Sequence, residues 1–176
     1  MTWTRTFEEL DTGLHDRESF DCGEAPLNEF IRIKAARHMK VGVSRTMVLP
    51  ANERRGDGKR PIAAFYTIAP SSVERERLPE TMAKRLPRYP VPVFLIAQLA
   101  VDRKAHGHGL GKVTLVRALH HLWSINDHLR AFAVVVDCLT ESARPFYAKY
   151  GFLDMGVHNG HLRMFIPMKQ LAGLGV

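Results

Sequence analysis

The strongest constraint on the fold is the stretch Val93–Lys112, VFLIAQLAVDRKAHGHGLGK. The apolar run Val93–Val101 reads as a strand. A polar loop leads into His106-Gly107-His108-Gly109-Leu110-Gly111-Lys112, and a helix is expected over Gly109–Ser124. Its apolar positions are Leu110, Val113, Leu115, Val116, Leu119 and Leu122, at helical spacing. A strand, a glycine-rich turn and a helix start can together grip a pyrophosphate. The first N–H groups of a helix lack an intrahelical acceptor, and the helix dipole adds partial positive charge there. Glycines remove the side chains that would hold phosphate away from those donors. From the glycines alone, a plain turn before an ordinary helix stays open. The spacing is G-x-G-x-G, not the G-x-G-x-x-G of a dinucleotide fold, and Gly111-Lys112-Val113 lacks the Ser or Thr of a P-loop.

Around this stretch the sequence predicts an edge strand at Thr4–Leu10, a turn at Phe20–Gly23 and a helix over Glu24–Lys40. A strand Ser44–Leu49, a hairpin loop Ala51–Arg60 with its turn at Asp57-Gly58, and a returning strand Pro61–Ala69 follow. Val73–Arg85 is charged and short. After the glycine loop and its helix comes a fully apolar strand, Ala131–Val136, of the kind buried on both faces. A helix then ends at Tyr150, with Ser142 as expected N-cap, Pro145 in its first turn and Gly151 as left-handed cap. Phe152–Met155 and His161–Met168 close the sheet around Asn159-Gly160. The order predicts one α/β (α+β) domain over residues 1–176, a central mixed, mostly antiparallel sheet with helices on both faces.

A net charge of +7 suits an anionic partner, a coenzyme or a nucleic acid, or a merely basic surface. No run has membrane-spanning length and no signal-peptide pattern occurs, so a cytoplasmic protein with no membrane partner is expected. Two cysteines, Cys22 and Cys138, make no disulfide framework and are expected to stay reduced. His106, His108, His120 and His121 do not read as a metal site, because adjacent helix histidines point about 100° apart.

The element order and two motifs resemble the Gcn5-related N-acetyltransferase (GNAT) family. One motif is an apolar-Ala-Val strand end before a glycine loop, here Leu99-Ala100-Val101 and then His106–Gly111. The other is a helix ending F-Y-x-x-x-G-F, matched by Phe146–Phe152, about 40 residues further on. His106 stands where the family usually has Gln or Arg. Finer matches resemble the TacT/AtaT-type toxins of type II toxin–antitoxin pairs. These are Phe20-Asp21-Cys22-Gly23, Leu27-Asn28-Glu29-Phe30-Ile31, Ser44-Arg45-Thr46-Met47-Val48 and Tyr89-Pro90-Val91-Pro92-Val93.

The resemblance implies a GNAT fold and a reaction in which a neutral amine attacks the thioester of acetyl-CoA, the α-amino group of aminoacyl-tRNA being the acceptor. It implies that the backbone of Leu99, Ala100 and Val101 holds the pantetheine arm, that His106, Gly107, His108, Gly109, Leu110, Gly111 and Lys112 take the pyrophosphate, and that Phe146 borders the coenzyme. Arg103 is a further candidate cation beside Lys112. Tyr147 is the implied general acid for the departing thiolate; a hydroxyl of pKa about 10 keeps its proton at neutral pH. Read from the residues alone, Tyr147 is a packing residue before it is an acid, and the resemblance reverses that order. No Asp or Glu on Pro61–Ala69 or Val93–Val101 offers a base. That suits an α-amine of pKa about 7.7–8.0 better than a lysine at about 10.4. Arg32, Lys34, Arg37, Lys40 and Arg45, with Arg75, Arg77, Lys84, Arg85 and Arg88, are candidate tRNA contacts, or scattered solubilising charge. A homodimer and a ribbon-helix-helix antitoxin are also implied, and no metal is. The alternatives are a GNAT acting on a small amine or a protein N-terminus, and a non-catalytic acyl-CoA-binding domain.

Overall fold

A computed structural model describes residues 1–174. The strands are β1 (Glu8–Glu9), β2 (His15–Asp16), β3 (Arg45–Pro50), β4 (Arg60–Val73), β5 (Val91–Val101), β6 (Ala133–Cys138), β7 (Leu153–His158) and β8 (His161–Pro167). The α-helices are α1 (Ala25–Glu29), α2 (Ala35–Lys40), α3 (Glu80–Ala83), α4 (Leu110–Asn126), α5 (Ala143–Lys149) and α6 (Met168–Leu171). The eight strands form a mixed sheet ordered β1-β3-β4-β5-β6-β8-β7, with β2 beside β4. The chain divides into two compact units: Met1–Ala69 with Ala97–Ala118, and Pro70–Ile96 with Leu119–Val176.

In the first unit β1, β3 and β4 are antiparallel, with Val48 opposite Glu8 and Phe65. The hairpin between β3 and β4 turns where expected, Gly58 taking φ 82°. The expected Glu24–Lys40 helix is interrupted. A π-helical turn, Phe30–Lys34, joins α1 to α2. It places Phe30, Ile31 and Ala35 in the core, where Phe30 and Phe20 both meet Phe65. Periodicity does not resolve one extra residue in a turn. The Thr4–Leu10 strand shrinks to β1 and an isolated bridge between Trp3 and Ala51.

The second unit holds the parallel pair β5–β6, with register Phe94↔Val134 to Ile96↔Val136. Antiparallel β8 follows on β6, and β7 on β8. One face buries Val73, Leu78, Val91, Val93, Ala133, Val135, Met155 and Phe165. β6 begins two residues later than the apolar run suggests. Ala131 instead donates its N–H to the Asn126 side chain, 3.1 Å away, which closes the turn after α4. Asn159 and Gly160 both take positive φ, 49° and 80°, as a tight hairpin requires. Ser142 stands at the N-cap of α5 but does not cap it, because its own φ and ψ (−73°, −16°) are helical. Its hydroxyl lies 3.2 Å from that of Thr140.

Candidate active site

The glycine loop is anchored at both ends and open in the middle. Ala105 and Leu110 are buried with Leu49, Ala63 and Ala64, and Trp3, Phe7 and Val101 pack against them. Between these plugs, His106 to Gly109 are exposed. Gly107 and Gly109 take φ 81° and 72°, a region costly to residues with a Cβ. Among the described residues, nothing lies within 4 Å of the position a Cβ would occupy at either. Among the described residues, no backbone carbonyl accepts from the N–H groups of Gly107, His108, Gly109, Leu110, Gly111 or Lys112. The first acceptor pairing along this run is Val113 to the Gly109 carbonyl, at 3.2 Å. A row of uncommitted donors at the start of a 17-residue helix fits a diphosphate.

The two loop histidines brace the backbone. His106 Nε2 lies 2.8 Å from the Val101 carbonyl, and His108 Nδ1 lies 2.8 Å from the His106 carbonyl. In both contacts the ring nitrogen donates. Trp3 meets the His108 ring edge-on at 5.4 Å. Lys112 is exposed and free of ion pairs among the described residues. Arg103 is turned toward Asp21, 3.5 Å away.

Asp102 was not singled out in the sequence, and Asp21 and Asn28 entered it only as members of family motifs, yet the three set the loop's start. The Asp102 carboxylate is buried and accepts N–H bonds from Asp21 (3.0 Å) and Lys104 (2.9 Å). Arg103 N–H returns to the Asp21 carbonyl at 2.9 Å. Asn28 donates to the Asp21 carboxylate and accepts from Cys22 N–H, both at 2.9 Å. The Asn28 and Gly23 hydrogen bonds hold the Asp21 carboxyl below its usual pKa. Gly23 has φ 93°, and a Cβ there would stand 3.0 Å from Arg103 Nε. The Phe20–Gly23 turn and the Asn28 region are thus the frame of the glycine loop. The clue was available: Asp102, just before a short turn, is a helix-capping residue type.

Tyr147 lies in the second unit, on α5, and only 7% of its surface is exposed. Its ring packs against Phe146 at 5.2 Å and Phe152 at 5.4 Å. Among the described residues, none hydrogen-bonds its hydroxyl. Burial pushes its pKa above the usual 10.0, and the neighbouring Cys138 and Asp137 push the same way. Asp137 is itself held by Arg163, its cross-strand partner, through bonds of 2.7 and 3.0 Å. Phe146 also meets Tyr150, 5.3 Å away.

The candidate tRNA cations divide by environment. Arg32 is half-buried and donates to the Phe20 carbonyl, so it belongs to the loop frame. Lys34, Arg37, Lys40 and Arg45 are exposed in the first unit. Lys34 sits 3.5 Å from Glu29 and Arg45 3.1 Å from Glu9. Arg85 and Arg88 are exposed in the second. No three His, Cys, Asp or Glu side chains among the described residues are grouped to hold a metal. Among those residues no helix is long and apolar enough to cross a membrane.

No family model matches the sequence. The tRNA-acetylating toxin of Mycobacterium tuberculosis strain H37Rv is 34% identical over 137 residues, 78% of each chain. The chain belongs to the tRNA-acetylating toxin family. Solved structures agree in fold. A KacT mutant structure matches with TM-score 0.86 and 26% identity, covering 96% of this chain and 98% of that one. AtaT in complex with acetyl-methionyl-tRNA matches with TM-score 0.84 and 29% identity, covering 97% and 99%. AtaTR bound with acetyl-CoA matches at 0.81 and 29%, covering 97% and 98%. An AtaT mutant bound to the C-terminus of the antitoxin AtaR matches at 0.79 and 26%, covering 96% of each chain. This toxin-family chain therefore has the GNAT fold and is an acetyltransferase.

Proposed function

We propose that this chain transfers an acetyl group from acetyl-CoA to the α-amino group of aminoacyl-tRNA, acting as a single catalytic domain and blocking translation. The observation that carries the reading is the row of uncommitted N–H groups at Gly107–Lys112, fixed between the buried Ala105 and Leu110. Acetyl-CoA supplies the acetyl group as an activated thioester. The chain supplies grip and proton management. Past Ile96, the last β5 residue paired with β6, the backbone at Leu99 and Val101 is assigned to the pantetheine arm. His106 holds the Val101 carbonyl in place from the loop side, a bracing role in place of the direct phosphate contact of Gln or Arg.

The new bond joins the amine nitrogen to the acetyl carbon as the carbon–sulfur bond breaks. The nitrogen sheds one proton to solvent, and the sulfur needs one. Tyr147 is assigned to give it. Among the described residues none competes for its hydroxyl, and its raised pKa keeps it protonated. The exposed Lys34, Arg37, Lys40, Arg45, Arg85 and Arg88 are assigned to tRNA phosphates, which require only cations and not base-reading side chains. An antitoxin partner, in line with the complex of AtaT with the C-terminus of AtaR, is proposed to be of ribbon-helix-helix type, and the toxin to be a homodimer. The protein is expected to work in the cytoplasm, where charged tRNA is found.

The test is transfer of labelled acetyl from acetyl-CoA to bulk charged tRNA, with deacylated tRNA as control. Label on charged tRNA alone supports the assignment. Label on small amines or peptide N-termini with none on RNA overturns it.

A further inference from the structure

The second unit carries a cavity of about 590 Å³ that the acetyl-transfer chemistry does not use. It lies at the start of β6, beside Ala131 and Phe132. Asp137 and Cys138, which act on Tyr147, close the other end of that strand. Six residues of strand span about 20 Å. Met82, Leu86, Trp123, Phe132 and Met168 give the cavity an apolar floor. Arg85, Arg130 and Lys169 line it as well, all exposed, and no carboxylate among the described residues does. Asn126, only 5% exposed, also lines it. Its amide oxygen accepts from Ala131 N–H, while its amide nitrogen has no acceptor among the described residues. An apolar floor flanked by three exposed cations and no carboxylate among the described residues, with the Asn126 amide nitrogen at its edge, fits a ligand that is both apolar and anionic.

We propose that this cavity docks an acidic peptide segment, with one bulky apolar side chain on the floor. Its carboxylates face Arg85, Arg130 and Lys169, and one of its backbone carbonyls accepts from Asn126 Nδ2. Charge complementarity selects this occupant. A second copy meeting the same patch across a two-fold axis would bring like cations together. Nucleic acid would match the cations but leave a floor of Met, Leu and Phe without apolar cover. The proposal shares Arg85 with the tRNA assignment, so its test alters only Arg130 and Lys169 and can fail without the acetyl-transfer reading.

The probe is a displayed peptide library of acidic pattern with Leu, Phe, Met or Trp at one anchor position. It is selected on the full chain against a control library carrying Lys in place of Asp and Glu. The enriched peptide should bind with an affinity that falls as salt rises. It should shift the indole resonance of Trp123, which Trp3→Phe distinguishes from the other tryptophan. Affinity should drop about tenfold or more in Arg130→Glu/Lys169→Glu. The indole shift reads the unaltered floor, so the proposal stays testable if the double variant fails to fold. Four outcomes overturn it: no enrichment over the control library, a Trp123 resonance that does not move, a folded double variant that binds the peptide as the parent does, or a double variant whose defect lies only in tRNA affinity or self-association. Acetylation of charged tRNA, measured in parallel, reports separately on the catalytic reading.

Discussion

At Tyr147, one hydroxyl carries the proposed proton transfer, and its surroundings say how it should behave. Tyr147→Phe keeps the ring contacts to Phe146 and Phe152 and removes only the proton. The turnover rate should fall about 100-fold or more, within the usual range for a lost general acid. The acetyl-CoA dissociation constant, measured by calorimetry, should stay within about twofold. A packing role alone would leave the rate nearly intact. The pH profile is a second check. An acid works while protonated, and burial raises the pKa of Tyr147 above 10.0. The rate should therefore climb as the substrate amine deprotonates near pH 8 and then stay level to about pH 10. A quench-flow series outruns ester hydrolysis at the alkaline end, and a decline beginning below pH 10 would remove Tyr147 from the role.

Asp16 makes a stability prediction at the same scale. It is buried, and burial alone would raise its pKa. Hydrogen bonds from Ser19 and Arg55 outweigh that and hold the carboxyl below the usual 3.8. A carboxylate with a depressed folded pKa stabilises the fold above its unfolded pKa. That stability disappears as pH falls through the folded value. Asp16→Asn should cost about 1–2 kcal/mol at neutral pH, since Arg55 is half exposed. Urea melts of the two proteins should converge below pH 3.8.

At the scale of elements, the glycine loop is an exposed span between two buried plugs, Ala105 and Leu110, and its glycines make its shape possible. Gly109→Ala puts a Cβ at φ 72°, a strain of about 1–2 kcal/mol. The acetyl-CoA dissociation constant should rise about tenfold, while the rate at saturating coenzyme stays close to the parent's. A loop that served only as a turn would show lower thermal stability and an unchanged dissociation constant. This loop was legible in the sequence because its signal is local: an apolar strand, alternating glycines and an amphipathic helix, all contiguous. The frame behind it was not. Asp102 meets Asp21 across 81 positions of sequence, and neither residue's spacing announces the other. The π-helical turn at Phe30–Lys34 was hidden for a related reason. An apolar stripe at 3.6-residue spacing tolerates one inserted residue without losing its face. Tyr147 lay between these cases. Its motif was plain, but its buried ring fits a core tyrosine as well as an acid.

For the whole molecule, the net charge of +7 becomes a functional statement only through its distribution. Arg32 is committed to the Phe20 carbonyl, and Arg75 and Arg77 donate to the carbonyls of Leu86 and Val157, so these cations serve the fold. Lys34, Arg37 and Lys40 are exposed on one segment, and among the described residues only Lys34 has a carboxylate near it, Glu29 at 3.5 Å. If they contact tRNA phosphates, each contact releases a condensed counterion on binding. The logarithm of affinity for charged tRNA then falls linearly with the logarithm of salt, with a slope of about −0.7 to −0.9 per contact. Replacing all three with Ala should make the slope shallower by about 2 to 3. It should also weaken binding most at low salt, where counterion release contributes most. Acetyl-CoA affinity, which the proposed function assigns to the backbone donors of Gly107–Lys112, should change little. A uniform loss of affinity at every salt concentration, with the slope unaltered, would mean that the three cations act on the fold and not on the phosphates. An unchanged slope with unchanged affinity would assign them to solubility alone, and would shift the search for the RNA-binding surface to Arg45, Arg85 and Arg88.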